Sequence, residues 1–139
     1  MTKVAALCAF ALLGGSVLAQ DADKPAETKA TAEKLSREHL LSFIPGTKAH
    51  LVTQSGSNHN WTNEPDGKFI ASSDGRKYGW SGTTSGTGTG SWRISDEGKY
   101  CVQIEWKRDS EKWCSFVWRT ADGYALGTEG PKRVIDLTK

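Results

Sequence analysis

The chain predicts an all-β, antiparallel fold, a barrel or sandwich of about eight short strands. Three observations carry this reading. From Thr47 onward apolar and polar residues alternate with a period of two, as strands with one buried face require. Turn-forming groups such as Glu64-Pro65-Asp66-Gly67 and Thr120-Ala121-Asp122-Gly123 punctuate the chain, roughly every 8–12 residues. The stretch 88–119 holds four of the six tryptophans and two of the three cysteines, and reads as three strands of a meander.

The N-terminus has the pattern of a secretory signal peptide, assigned to residues 1–19. Lys3 supplies the positive charge, residues 4–13 the apolar run and Val17-Leu18-Ala19 a cleavage site. The run is too short to span a membrane. An apolar helix that stays on the mature chain is the competing reading. Cys8 lies inside the run, preceded by Leu7 where a lipoprotein signal needs a small residue, so it is expected to leave with the signal. Residues 20–34 are charged, Ala-rich and poor in large apolar groups, and read as a flexible linker, with a solvated helix as the alternative. Residues 35–139 remain as one domain.

The formal net charge of +2 falls to +1 without Lys3, with both signs mixed along the chain. That balance argues against a nucleic-acid binder, which carries a basic stripe. No later run is apolar enough to span a membrane. The expected location is periplasmic or secreted, and the expected state a monomer.

A short helix is predicted around residues 35–46. Ser36 is a suitable N-cap, Leu35 and Leu40 form a staple pair, Leu40, Phe43 and Ile44 share a face, and Pro45-Gly46 ends it. Strands then alternate with turns. Ala49, Leu51 and Thr53 face one way, and residues 59–63 and 68–72 follow as two further strands. A fourth starts at Lys77. The Gly/Thr/Ser run over 81–90 has few side chains to pack and reads as a flexible loop. Its glycines lack phosphate-loop spacing with a lysine. Tyr100, Val102, Ile104 and Trp106 share one face of the next strand, and Trp113, Ser115 and Val117 one face of its partner. Residues 124–126 and 133–137 complete the count, with Pro131 confined to an edge.

The motifs Gly90-x-Trp92-x-Ile94, Tyr100-Cys101-Val102-x-Ile104-Glu105-Trp106 and Trp113-Cys114-x-x-x-x-Arg119 resemble the exported bacterial family catalogued as domain of unknown function 995 (DUF995). The helix end Ile44-Pro45-Gly46 and the hairpin from Trp61 to Gly67 are similar to its lead-in, so the resemblance runs over residues 35–126. It implies a small, signal-bearing, lipocalin-like β domain without assigned chemistry, which selects a small antiparallel barrel. Cys101 and Cys114 match its cysteine motif. Two cysteines in an exported domain favour a disulfide. A two-residue turn at Asp109-Ser110 would instead set Cys101 opposite Trp118, about four residues out of register and too far to bridge. The bridge therefore needs a longer loop, a bulge or another register.

The chemistry-bearing side chains give no catalytic constellation. His39, His50 and His59 fall on different elements without metal-ligand spacing, so no metal and no cofactor is expected. No nucleophile-elbow motif is present, and the serines cluster at turns. Glu105 with Asp109 or Glu111 is the one carboxylate pair with glycosidase potential, but charges at a hairpin tip are normally solvated. Asn60-Trp61-Thr62 fits a glycosylation sequon that a bacterial source would leave unused. The tryptophans exceed what a small core needs. Four are expected inside, while Trp61 and Trp80, beside polar loops, are the ligand-binding candidates. The reading is a non-catalytic exported barrel that binds a small ligand or an envelope protein. The alternatives are a protein-interaction module, such as an inhibitor or an envelope-stress factor, and a cell-envelope enzyme acting on glycans.

Overall fold

The computed structural model describes residues 31–75 and 85–139. The signal pattern, most of the linker stretch, the strand expected from Lys77 and Trp80 lie outside the described residues. In chain order the elements are β1 (Glu33–Lys34), α1 (Arg37–Phe43), β2 (Lys48–Val52), β3 (Asn58–Thr62), β4 (Lys68–Ser73), β5 (Gly86–Ile94), β6 (Tyr100–Glu105), β7 (Ser110–Thr120), β8 (Gly123–Gly127) and β9 (Arg133–Thr138). Strands β2 to β9 form a closed eight-stranded antiparallel barrel. Two pairings make the closure: β2 with β9, and β7 with β8. The long strand β7 hands over between neighbours, since its residues up to Ser115 pair with β6 and those from Phe116 pair with β8. Trp118 and Arg119 also pair with β1, which therefore occupies the edge that β6 has vacated.

Helix α1 stops one end of the barrel. Ser36 Oγ accepts the His39 N–H at 3.2 Å, the cap expected from sequence. Leu35, Leu40 and Ile44 enter the core cluster, and the Phe43 ring packs 5.2 Å from Tyr124. The Gly46 N–H donates to the Asn63 carbonyl at 2.7 Å, tying the helix exit to the end of β3. Above the helix the interior is filled by inward residues such as Leu51, Phe69, Tyr100, Val102, Ile104, Val117 and Ile135. Burying each large side chain contributes about 1.5–3 kcal/mol.

A polar cluster lies inside this core. Asn63 and Thr47 are fully buried. The Trp61 indole donates to Asn63 Oδ1 at 3.0 Å and to the Tyr100 hydroxyl at 3.1 Å. The Tyr100 hydroxyl donates to Asn63 Oδ1 at 2.8 Å, and Asn63 Nδ2 donates to Thr47 Oγ1 at 3.0 Å. An indole N–H can only donate, so the Asn63 oxygen must face it. Burial pushes the Tyr100 hydroxyl above the ordinary phenol range, against the lowering effect of its bonds to Trp61 and Asn63.

Two local expectations are corrected. Residues 86–90 are not loop but the start of β5, paired with residues 69–73 of β4 and, at Thr89 and Gly90, with β6. Their missing side chains leave room for large neighbours. A Cβ on Gly90 would sit 2.0 Å from the Phe69 ring, and one on Gly88 2.8 Å from the Trp106 ring. The β6–β7 hairpin reverses at Lys107-Arg108, not at Asp109-Ser110, with the Trp106 N–H donating to the Asp109 carbonyl at 2.8 Å. That register sets Cys101 directly opposite Cys114 and the two are disulfide-bonded, with Cα atoms 4.0 Å apart. The bridge lies outside the barrel, because Tyr100 and Val102 on either side of Cys101 point inward.

Candidate functional site: the open mouth of the barrel

Opposite α1 the filling stops and a recess of about 860 Å³ opens. Strand parity determines what lines it. On β3 the inward residues are Trp61 and, one step nearer the mouth, His59. On β7, Val117 and Trp113 belong to the core side, and the same parity brings Glu111 inward, opposite the buried Ile104 of β6. The hairpin tip carries Trp106 over His59, with ring centroids 4.8 Å apart. Gly88 permits this placement.

Glu111 and His59 form the polar centre. The His59 side chain is only 8% exposed, and its Nδ1 lies 3.5 Å from Glu111 Oε1, long for a hydrogen bond. Nδ1 has no hydrogen-bond partner. Burial would raise the Glu111 carboxyl, but the neighbouring His59, 3.5 Å away, with the Trp106 and Trp113 side chains, outweighs it and holds the Glu111 pKa below its ordinary value. Arg133, whose guanidinium lies 5.6 Å over the Trp113 ring, is lowered by burial and raised again by the Glu111 charge. The carboxylate is thus kept ionised inside a partly enclosed space. Lys107, Arg108 and Asp109 form one rim, and Thr53, Ser57 and Ser73 contribute hydroxyls. Two of those hydroxyls also close turns: Thr53 Oγ1 accepts the Ser57 N–H at 3.0 Å and Ser73 Oγ the Gly75 N–H at 3.1 Å.

The ligand-facing candidate Trp61 is placed in the core, 4% exposed, stacked on Phe69 and bonded to Asn63 and Tyr100. Trp80 lies outside the described residues. Among the described residues, the tryptophan that faces the recess is Trp106. The carboxylates considered from sequence are separated: Glu105 is exposed and accepts from Gln103, whereas Asp109 and Glu111 both line the mouth. His39 lies half-buried on α1, against Phe43. His50 is on the outer wall, with Nδ1 2.9 Å from Asp136 and Nε2 3.0 Å from Asn58 Oδ1. Asn58 turns its amide nitrogen to Asp74, so its oxygen faces His50 and both ring nitrogens find acceptors. These bonds, Asp136 first, and the charges of Asp136 and Asp74 raise the His50 pKa against the lowering effect of burial. Among the described residues no group of three or more His, Cys, Asp or Glu side chains stands close enough to hold a metal ion.

Sequence reasoning missed the His59–Glu111–Trp106 grouping. The signal was parity: a polar residue in the inward register at a strand end, as His59 is to Trp61 and Glu111 to Trp113, marks where a barrel stops being filled.

A family model described as protein of unknown function (DUF995) matches residues 12–124. No curated protein and no solved structure matches the chain.

Proposed function

We propose that this chain, which belongs to the DUF995 family of proteins of unknown function, is an exported, non-catalytic barrel that takes a small polar ligand into its open mouth. The observation that carries the reading is the recess of about 860 Å³ above a filled core, with a tryptophan, a histidine and an ionised carboxylate converging on it. Small-molecule sites are concave, largely pre-formed and lined by aromatic surface with a few placed polar groups. Export is supported by the signal pattern of residues 1–19 and by the Cys101–Cys114 disulfide, a bond that persists in oxidising compartments. Among the described residues no helix is long and apolar enough to cross a membrane. The non-catalytic reading is supported by the hydroxyl oxygens of Thr53 and Ser73, which accept backbone N–H groups and close turns.

The test is nuclear magnetic resonance of the labelled protein during a screen of small polar compounds. Hits should move the Trp106 indole and the His59 ring while leaving His50 and the Cys101–Cys114 region in place. Hits that map elsewhere, or a screen without hits, refute the reading. Turnover of a bound compound replaces it with the enzymatic one, for which His59 beside Glu111 is the supporting feature.

A further inference from the structure

The unpartnered nitrogen of His59 and the carboxylate beside it restrict what can fill the mouth. A polar atom buried without a partner costs stability, which a ligand that completes it returns as affinity. The gap between His59 Nδ1 and Glu111 Oε1 is 3.5 Å. A group placed against this pair meets a carboxylate oxygen, which only accepts, beside an imidazole, whose ring nitrogens donate or accept according to tautomer. A hydroxyl suits both, because it donates one hydrogen and accepts another. A phosphate or carboxylate would meet the charge of Glu111. An ammonium would meet Lys107 and Arg108 at the rim. Among the described residues, the charged groups lining the recess are two cations, Lys107 and Arg108, and two carboxylates, Asp109 and Glu111, so these favour neither sign. Trp106, half-buried at the wall, offers an aromatic surface, and small hydroxyl side chains line the side formed by β2–β3 and β4.

We propose that the mouth is a site for a neutral polyhydroxylated ligand, a saccharide, with one hydroxyl against the His59–Glu111 pair and an apolar sugar face against Trp106. The proposal rests on the binding reading above and adds the ligand class. Glu111 orients the sugar through its fixed oxygens. Trp106 supplies contact area without charge, the usual way a flat carbon-hydrogen surface is held beside polar groups.

The experiment titrates the labelled protein with maltotriose, cellotriose, mannotriose and the trimer of N-acetylglucosamine, and in parallel arms with choline, inorganic phosphate and laurate. At least one trisaccharide should bind and shift the Trp106 indole and His59 ring resonances. Glu111→Gln should weaken that binding about ten-fold or more, the scale of losing a hydrogen bond to a charged group. Trp106→Leu should weaken it similarly, and His50→Ala should leave it unchanged. If Glu111→Gln fails to fold, as its resonance dispersion will report, Trp106→Leu decides alone. Binding of choline, phosphate or laurate in the mouth with none of the four sugars overturns the saccharide assignment and leaves the binding reading standing. No binding in any arm overturns both. Sugar binding that ignores both substitutions overturns this site.

Discussion

Replacing Asn63 by alanine tests the buried polar cluster most directly. The change removes three side-chain hydrogen bonds: those from Trp61 at 3.0 Å, from Tyr100 at 2.8 Å and to Thr47 at 3.0 Å. At about 1 kcal/mol net each, their loss comes to about 3 kcal/mol. The Tyr100 hydroxyl stays buried and loses its acceptor, adding about 1–3 kcal/mol, while the Trp61 N–H keeps the Tyr100 oxygen at 3.1 Å. The expected cost is therefore about 4–6 kcal/mol, a large share of a net domain stability of about 5–15 kcal/mol. Tyr100→Phe is the control. It removes two of the bonds, but the Trp61 N–H retains Asn63 and Asn63 retains Thr47, so no buried donor is orphaned. Its expected cost is about 1–2 kcal/mol. Urea unfolding followed by tryptophan fluorescence, with the disulfide intact, gives both numbers from midpoint and slope. A Tyr100→Phe cost equal to or above that of Asn63→Ala, or an Asn63→Ala cost below about 1 kcal/mol, would refute the accounting of donors and acceptors.

Gly90→Ala places a methyl 2.0 Å from the Phe69 ring, an overpacking expected to destabilise by about 1–3 kcal/mol. Phe69→Leu in the same chain should recover part of that loss in a double-mutant cycle, and strictly additive costs would contradict the contact. Cys101→Ser with Cys114→Ser opens a bridge across a separation of 13 residues and should lower stability by about 3 kcal/mol. Two free thiols in the denatured, unreduced mature protein would show that the bridge does not form. The raised His50 pKa makes its stabilisation full below 6.5 and lost as pH rises through the raised value. Asp136→Asn should therefore cost stability most below pH 6.5, by only a few tenths of a kcal/mol for so exposed a pair, and a cost that grows with pH would reverse the assignment.

What the sequence made legible is the short-range part of the fold. Ser36 as cap, the turn at Glu64-Pro65-Asp66-Gly67 and the inward set Tyr100, Val102 and Ile104 each depend on neighbours within a few residues, and each is present. The β6–β7 register was not legible because a polar tip of six residues permits several turns, and pairing across the whole hairpin decides among them. The Gly/Thr run misled for a related reason. Its partners Phe69, Ile104 and Trp106 fill the space its own side chains leave, and that shape match is set by strands far apart in sequence. Trp61 has polar neighbours in sequence, yet Asn63 beside it serves the indole instead of solvent. His59 and Glu111 were visible one at a time but not as a pair, since β3 and β7 are brought across the barrel only by its closure.

That closure has a kinetic consequence. The seam between β2 and β9 joins His50 to Asp136 across 86 positions, whereas the disulfide-bearing hairpin joins residues 13 apart. Loop-closure entropy makes the seam costlier to bring together by about 1.7 kcal/mol, taken as (3/2)RT times the logarithm of that ratio. Hairpins around β7 should thus assemble early and the β2–β9 contact last, with relaxation in the milliseconds-to-seconds range of β topologies. Kinetic mutants should separate along this line. Leu137→Ala, beside the seam, is expected to speed unfolding and leave the folding rate nearly unchanged, while Val117→Ala slows folding. Equal effects on the folding rate would mean that the ends of the sheet meet before its middle is built.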